Sequence, residues 1–201
     1  KAPGQNKIEV VVMGKTAHAG VAPEEGLNAI VLAGKALAAI KEGRIDEETT
    51  ANVGIIKGGG ATNIVPDRVE ITCEARSRNM AKLEAQTKSM VDTFEQVVAA
   101  NGGKTEISVK KAYGPYVLSE TEPVVKLAGQ AGSAIGLKVT MEGTGGGSDA
   151  NFFNAYGVPT AVLAVGMTKV HTTEEYIKEA DIYSTAEWLL AIIKQAAALK
   201  K

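Results

Sequence analysis

Apolar and polar positions alternate along much of the first half of this chain. Val69, Ile71, Cys73 and Ala75 interleave with Glu70, Thr72, Glu74 and Arg76. That period of two predicts a strand with one buried face. Residues 8–13 are a β-rich run broken at Gly14, and residues 51–57 a second that ends in Gly58-Gly59-Gly60. Ile107 and Val109 mark a last strand. Between these runs the period becomes helical. Leu27, Ile30, Val31, Gly34 and Leu37 follow Pro23-Glu24-Glu25, which read as a first helical turn. Leu83, Met90, Phe94, Val97 and Val98 form a second amphipathic set, stopped at Asn101-Gly102-Gly103. The order β-α-β-β-α-β predicts a split βαβ, ferredoxin-like plan. Helices then cover one face of an antiparallel sheet, and the other face lacks helical cover.

From Tyr113-Gly114-Pro115 the pattern changes. Val124, Val125, Leu127, Ala128, Ala131 and Ile135 predict a helix, residues 138–142 a short strand and residues 149–156 a short helix. The continuous apolar run 159–165 predicts a strand buried on both faces. Ile182, Ala186, Leu189, Ile193 and Ala197 predict a long closing helix. This half reads as part of a parallel α/β sheet. Two strands and three helices cannot cover such a sheet alone, so further strands are expected upstream of Lys1. The opening Lys1-Ala2-Pro3-Gly4, without Met, fits a piece of a longer polypeptide.

A chain of 201 residues suits one or two domains. Hydrophobic content of 45% with only 4% aromatics predicts aliphatic cores. The net charge of −1 and the lack of a basic stripe argue against nucleic acid as a partner. No apolar stretch is long and clean enough to span a bilayer, so no membrane role is expected. No secretory signal precedes the first strand. The single cysteine, Cys73, excludes an internal disulfide and fits a reducing compartment, the cytoplasm.

The candidate chemistry lies in short segments. Gly145, Gly146, Gly147 and Ser148 precede a helix, where free backbone N–H groups could cradle an anion and Ser148 could cap. A plain tight turn reads as well. A dinucleotide fingerprint fails, because its spacing needs glycine where Ser148 stands. His171 follows the buried run and precedes Thr172-Thr173-Glu174-Glu175, a spacing that fits a capping box as well as catalysis. A lone histidine cannot hold a catalytic metal, which needs about three protein ligands. His18 sits among small residues in Gly14-Lys15-Thr16-Ala17-His18-Ala19-Gly20; its imidazole would be exposed there, as in any loop. Asn63 reads as an Asx turn or a binding residue. Arg76, on the polar strand face, reads as a solvated or ion-paired side chain. Cys73, on the apolar face, reads as core.

Taken together these segments resemble the dinuclear zinc peptidases that include peptidase T, glutamate carboxypeptidase and succinyl-diaminopimelate desuccinylase, closest to the peptidase T-like, tripeptide aminopeptidase-like branch. The segments that carry the resemblance are Gly14-Lys15-Thr16-Ala17-His18-Ala19-Gly20, Gly58-Gly59-Gly60-Ala61-Thr62-Asn63-Ile64-Val65-Pro66-Asp67, Glu74-Ala75-Arg76-Ser77-Arg78, Thr144-Gly145-Gly146-Gly147-Ser148-Asp149-Ala150 and His171-Thr172-Thr173-Glu174-Glu175-Tyr176. The resemblance implies a fold class of α/β type: an α+β lid that also dimerises the protein, over residues 5–112, then the C-terminal segment of the catalytic domain, 113–201. It implies that His171 is the last metal ligand, and that His18 reaches across a homodimer to the substrate carbonyl. Asn63 and Arg76 would bind the substrate, often its carboxylate, and Gly145, Gly146, Gly147 and Ser148 would line its pocket. The implied reaction is hydrolysis of short peptides by a water shared between two zinc ions. The remaining ligands and the general-base glutamate have no counterpart in this chain. The resemblance therefore describes a parent protein, and the chain alone is expected to be inactive. A dimerisation or regulatory fragment is the alternative reading.

Overall fold

The computed structural model describes residues 1–199. They form two compact units, one of Ala2–Tyr116 with Thr144–Gly147, the other of Lys1, Val117–Gly143 and the described residues from Ser148 onward.

The first unit is built on seven strands: β1 (Gly4–Met13), β2 (Ala17–His18), β3 (Gly43–Arg44), β4 (Thr49–Gly58), β5 (Ile64–Val65), β6 (Arg68–Ser77) and β7 (Lys104–Tyr113). Its helices are α1 (Ala29–Ala39) and α2 (Met80–Ala100). The main sheet runs β3-β4-β6-β1-β7, with antiparallel neighbours throughout. With the two-residue β3 set aside, this is the ferredoxin-like order expected from β-α-β-β-α-β.

Burial follows the alternation in the sequence. Ile8, Val10 and Val12 of β1 and Val69, Ile71, Cys73 and Ala75 of β6 turn toward the helices and are buried. They meet Leu32, Ala33 and Ala36 of α1 and Leu83, Met90, Phe94 and Val98 of α2. The opposite face carries Lys7, Glu9, Arg68, Glu70, Glu74 and Arg76 and has no helical cover among the described residues. Ion pairs lace it: Glu9 joins Lys7 (2.8 Å) and Lys110 (2.9 Å), and Arg68 joins Glu70 (3.0 Å).

Asparagine fixes the start of both helices. The Asn28 side chain accepts from the Ile30 and Val31 N–H groups, and that of Asn79 from the Lys82 N–H. The first-turn reading of Pro23-Glu24-Glu25 is corrected here. Those residues make an isolated 3₁₀ turn, and α1 starts only at Ala29. The reason is local, because Asn28 has extended backbone and interrupts the helical path.

The unit is closed at its base. The Ala2 N–H donates to the Tyr116 carbonyl (3.1 Å), and the Tyr116 N–H donates back (3.2 Å). At the far end, Gly14 turns the chain out of β1. Its N–H donates to the Asp67 carbonyl (2.8 Å), and a Cβ there would lie 2.0 Å from the Leu27 carbonyl oxygen, so only glycine fits.

The second unit holds α3 (Pro123–Ala134), α4 (Ala150–Ala155) and α5 (Glu179–Ala198). Trp188 on α5 donates through Nε1 to the Ala128 carbonyl of α3 (2.8 Å). The strands expected at 138–142 and 159–165 are not formed. Both segments are irregular, with Met141 and Val162 exposed. A strand needs a neighbour to take its N–H and C=O groups, and the described residues of this unit offer none. Ile182, Leu189, Leu190 and Ile193 on α5 remain half exposed.

Candidate functional site

The segment leaving β1 and the segment entering β6 meet in a two-stranded ribbon. There β2 pairs with β5, and His18 stands opposite Ile64. The next hydrogen bond joins the Ala19 N–H to the Asn63 carbonyl (2.9 Å). The structure thus brings together His18 and Asn63, which are far apart in sequence, and both are exposed. The Val21 and Ala22 N–H groups donate to the His18 carbonyl and fix its backbone. The Gly20 N–H donates to His18 Nδ1 (3.2 Å). A neutral imidazole that accepts at Nδ1 carries its proton on Nε2, so His18 is a hydrogen-bond donor at its outer nitrogen. Beside the Asn63 loop a cleft of about 400 Å³ is lined by Lys57, Gly60, Ala61, Ile64, Asp67 and Arg68.

Arg76 lies at the other end of the sheet, opposite Gln5, which in turn stands opposite Tyr113. From Arg68, beside the ribbon, to Arg76 is eight strand residues, or ~26 Å at about 3.3 Å each. The Arg76 guanidinium is engaged already. Its Nε donates to Glu74 Oε1 (2.8 Å) and its Nη2 to Glu74 Oε2 (3.0 Å), with the two side chains 28% and 30% exposed. Gln5 Nε2 donates to the same carboxylate. The hydrogen bonds to Glu74 push the Arg76 pKa up against the opposing effect of burial. Burial raises that of Tyr113, with Arg76 opposing.

Thr144–Gly147 belong to the same unit as this cluster. Gly147 lies directly on Tyr113: a Cβ at Gly147 would fall 2.2 Å from the phenol oxygen. Gly145 and Gly146 are exposed, and the Gly146 N–H donates to Thr144 Oγ1 (3.1 Å). Ser148 does not cap α4. The residue at that position is Asp149, which makes no side-chain cap bond, while Asn151 Oδ1 accepts from the Ser148 N–H (3.0 Å).

His171 occupies a tight turn closed by the Thr168–Tyr176 bridge. Its φ of 65° and the 55° of Lys169 are left-handed, a strained choice for side-chain-bearing residues. The His171 N–H donates to Glu175 Oε2 (2.9 Å), and Glu174 pairs with Lys169. No group of three or more His, Cys, Asp or Glu able to hold a metal occurs among the described residues.

Sequence reasoning passed over Glu74, Gln5 and Tyr113. Glu74 was legible, because residues two apart on a strand share a face. Gln5 and Tyr113 depend on strand register, which the sequence does not print.

Residues 3–102 match the family model of a peptidase dimerisation domain. A curated Bacillus subtilis protein, YqjE, described as uncharacterized, is 44% identical over 98% of this chain and 53% of its own length. The crystal structure of an aminopeptidase PepT from Bacillus cereus is 45% identical, with a TM-score of 0.81 over 98% of this chain and 52% of that one. A Staphylococcus aureus tripeptidase is 41% identical, with a TM-score of 0.87 and the same coverage. The chain spans about half the length of these relatives. No helix among the described residues is long and apolar enough to cross a membrane.

Proposed function

Taking as premise that this chain belongs to the M20 peptidases, whose dimerisation domain it carries, we propose that it is the lid and the C-terminal catalytic segment of a metal-dependent exopeptidase for short peptides. The observation that carries the reading is the proximity of His18 and Asn63 on one ribbon, with His18 Nδ1 engaged by the Gly20 amide. That arrangement leaves an Nε2–H donor for the oxyanion that develops when an amide carbonyl is attacked. Asn63 and Arg76 hold the substrate, and Gly145, Gly146, Gly147 and Ser148 line its path.

Distance decides how these groups cooperate. A tripeptide extends at most ~11 Å, whereas ~26 Å of strand separates Arg76 from Arg68, the residue beside the ribbon that carries His18 and Asn63. On that spacing His18 and Arg76 of one chain do not serve the same short peptide. The complete site therefore draws His18 and Asn63 from one copy and Arg76 from another, in a homodimer. A surface for this pairing is present. β3 and the turn after it cover the outer edge of β4 at Thr49, Thr50 and Ala51, and the open remainder of such an edge accepts another strand. Ile30 and Val31 of α1 and Ile55 and Ile56 of β4 are exposed along it.

Metal ions, zinc by expectation and two per site, belong to the whole protein, and His171 is the one donor this chain is proposed to give. The buried free thiol of Cys73 suits a reducing setting, the cytoplasm.

A second reading, a dimerisation or regulatory piece without activity, is favoured by the absence of a metal-donor cluster among the described residues. The two are separated by expressing the full-length polypeptide, loading it with zinc and following amino-acid release from di- and tripeptides. Hydrolysis that a chelator abolishes supports the peptidase. A metal-loaded dimer that cleaves no peptide supports the second reading.

A further inference from the structure

We propose that β7 is a guarded edge of the sheet: Lys104, Lys110 and Lys111 deny it to a second copy of this chain, so that self-association is confined to the β4 edge and stops at two subunits. The confinement to β4 rests on the homodimer proposed above. The guarding of β7 does not.

The main sheet has two ends. β7 is the outermost strand at one of them, and its strand partner is β1 alone. No strand lies on its other side among the described residues, so that row of backbone groups is a template for an incoming strand. The middle of β7, Ile107-Ser108-Val109, suits such pairing, and Val109 is 46% exposed. The charges lie around this middle. Residues opposite one another on paired strands share a face. Lys104 stands opposite Met13 and Lys110 opposite Lys7, on the helix-free face. Lys111 stands opposite Asn6, whose amide donates to Thr87 of α2, so Lys111 lies on the helical face. Lysines therefore flank the apolar middle at both ends and on both faces. A strand docking there would strip water from their ammonium groups, the usual way a natural edge is blunted. The edge at the other end of the sheet differs. Of its ten residues β4 has one charged, Lys57, and it exposes Ile55 and Ile56, whereas β7 has four charged. Each strand has one irregularity, at Gly54 in β4 and at Ala112 in β7, so the charges and not the bulges set the two edges apart. The consequence is the size of the assembly. Pairing through one edge is isologous and closes at two copies, but a sheet pairing through both edges would continue from copy to copy without closing.

The test is sedimentation equilibrium of the chain as it exists, across micromolar concentrations, with urea unfolding of each sample to report its fold. Lys104→Thr/Lys110→Thr/Lys111→Thr removes the charges and keeps a strong strand preference. Lys110 also pairs with Glu9, a surface contact of small worth to folding. Losing three positive charges makes a chain of net charge −1 more acidic, which by itself opposes association. The expected result is nevertheless a weight-average mass that climbs past two chains with concentration, through a β7 contact ~10-fold tighter than in wild type, the scale of three altered cross-strand positions. The milder Lys110→Thr/Lys111→Thr should move the same way and stands in if the triple variant does not fold. Lys104→Arg/Lys110→Arg/Lys111→Arg keeps the charge and should stop at two chains, as wild type does. Lys88→Gln/Lys126→Gln/Lys138→Gln removes the same charge from exposed positions away from β7 and should also match wild type. If a folded threonine variant keeps the wild-type distribution, the proposal is overturned. The same follows if the glutamine control grows as the threonine variant does. A monomeric wild type beside a dimeric threonine variant removes the β4 reading and leaves the guarding of β7 standing.

Discussion

Replacing His18 by alanine separates chemistry from structure in this protein, because the two effects have different sizes. The imidazole is exposed, and its one side-chain hydrogen bond comes from the Gly20 amide, itself open to water. The ribbon is held by backbone bonds that alanine leaves intact: the pairing of β2 with β5, Ala19 with Asn63, and Val21 and Ala22 with the His18 carbonyl. Its neighbours Ala17, Ala19 and Gly20 are small, so no packing is lost. The expected stability change is within ~0.5 kcal/mol, the range of ordinary surface substitutions. The catalytic effect should be far larger. Losing one oxyanion donor costs roughly 10²–10³ in kcat, or about 2.7–4 kcal/mol of transition-state stabilisation. Urea unfolding of the chain gives the first quantity, and steady-state tripeptide hydrolysis by the full-length protein gives the second. If the site is shared between copies, as proposed, mixing His18→Ala subunits with His171→Ala subunits should restore part of the activity. A His18→Ala protein with full kcat, or one whose lid unfolds, would refute the reasoning and return His18 to the status of a loop histidine.

Phe94 provides the opposite case: it is fully buried between α2 and the sheet, so Phe94→Ala should cost ~3–5 kcal/mol in urea unfolding, and a loss below ~1 kcal/mol would contradict the core described above. The Glu9 carboxyl is held down to about 2, first by its hydrogen bond from Lys7 and then by Lys110. A depressed carboxylate contributes stability that is present above its ordinary value of 4.5 and is lost as pH falls toward 2. Urea midpoints measured across that window should therefore fall less steeply in Glu9→Gln than in wild type. If α1 and the outer edge of β4 pair with a second copy, Ile30→Lys with Ile56→Lys should weaken self-association by at least ~10-fold in sedimentation equilibrium, since burying one such side chain is worth ~1.5–3 kcal/mol; an unchanged dimer would move the interface elsewhere.

The first unit was legible because its signals are local. Val69, Ile71, Cys73 and Ala75 each face the core in the structure, as their alternation with charged neighbours requires. Phe94 and Val98 lie one helical turn apart and are buried together. The start of α1 was misread because Pro23-Glu24-Glu25 has the composition of a first turn, while the residue that acts as cap is Asn28. The runs at 138–142 and 159–165 have strand-like composition but form no strand, because pairing is not a property of a segment alone. The candidate site shows the same division. His18 and Asn63 could be named from their motifs, yet their adjacency arises from the ribbon, which no local pattern encodes. Arg76 could be named from its strand segment, but its engagement by Glu74 could not.

The paired backbone at Ala2 and Tyr116 has a further consequence. Across Ala2–Tyr116, the body of the first unit, the polypeptide enters and leaves through two segments lying side by side, about 5 Å apart. To any chain that carries it, such a unit is a detour that returns to its starting point. It behaves as a cassette: excised at that base and bridged by a short turn, it would leave the flanking chain nearly undisturbed, as closely spaced termini generally allow. The same geometry lets the unit be transplanted whole onto a foreign loop, carrying His18 and Asn63 with it and leaving His171 behind.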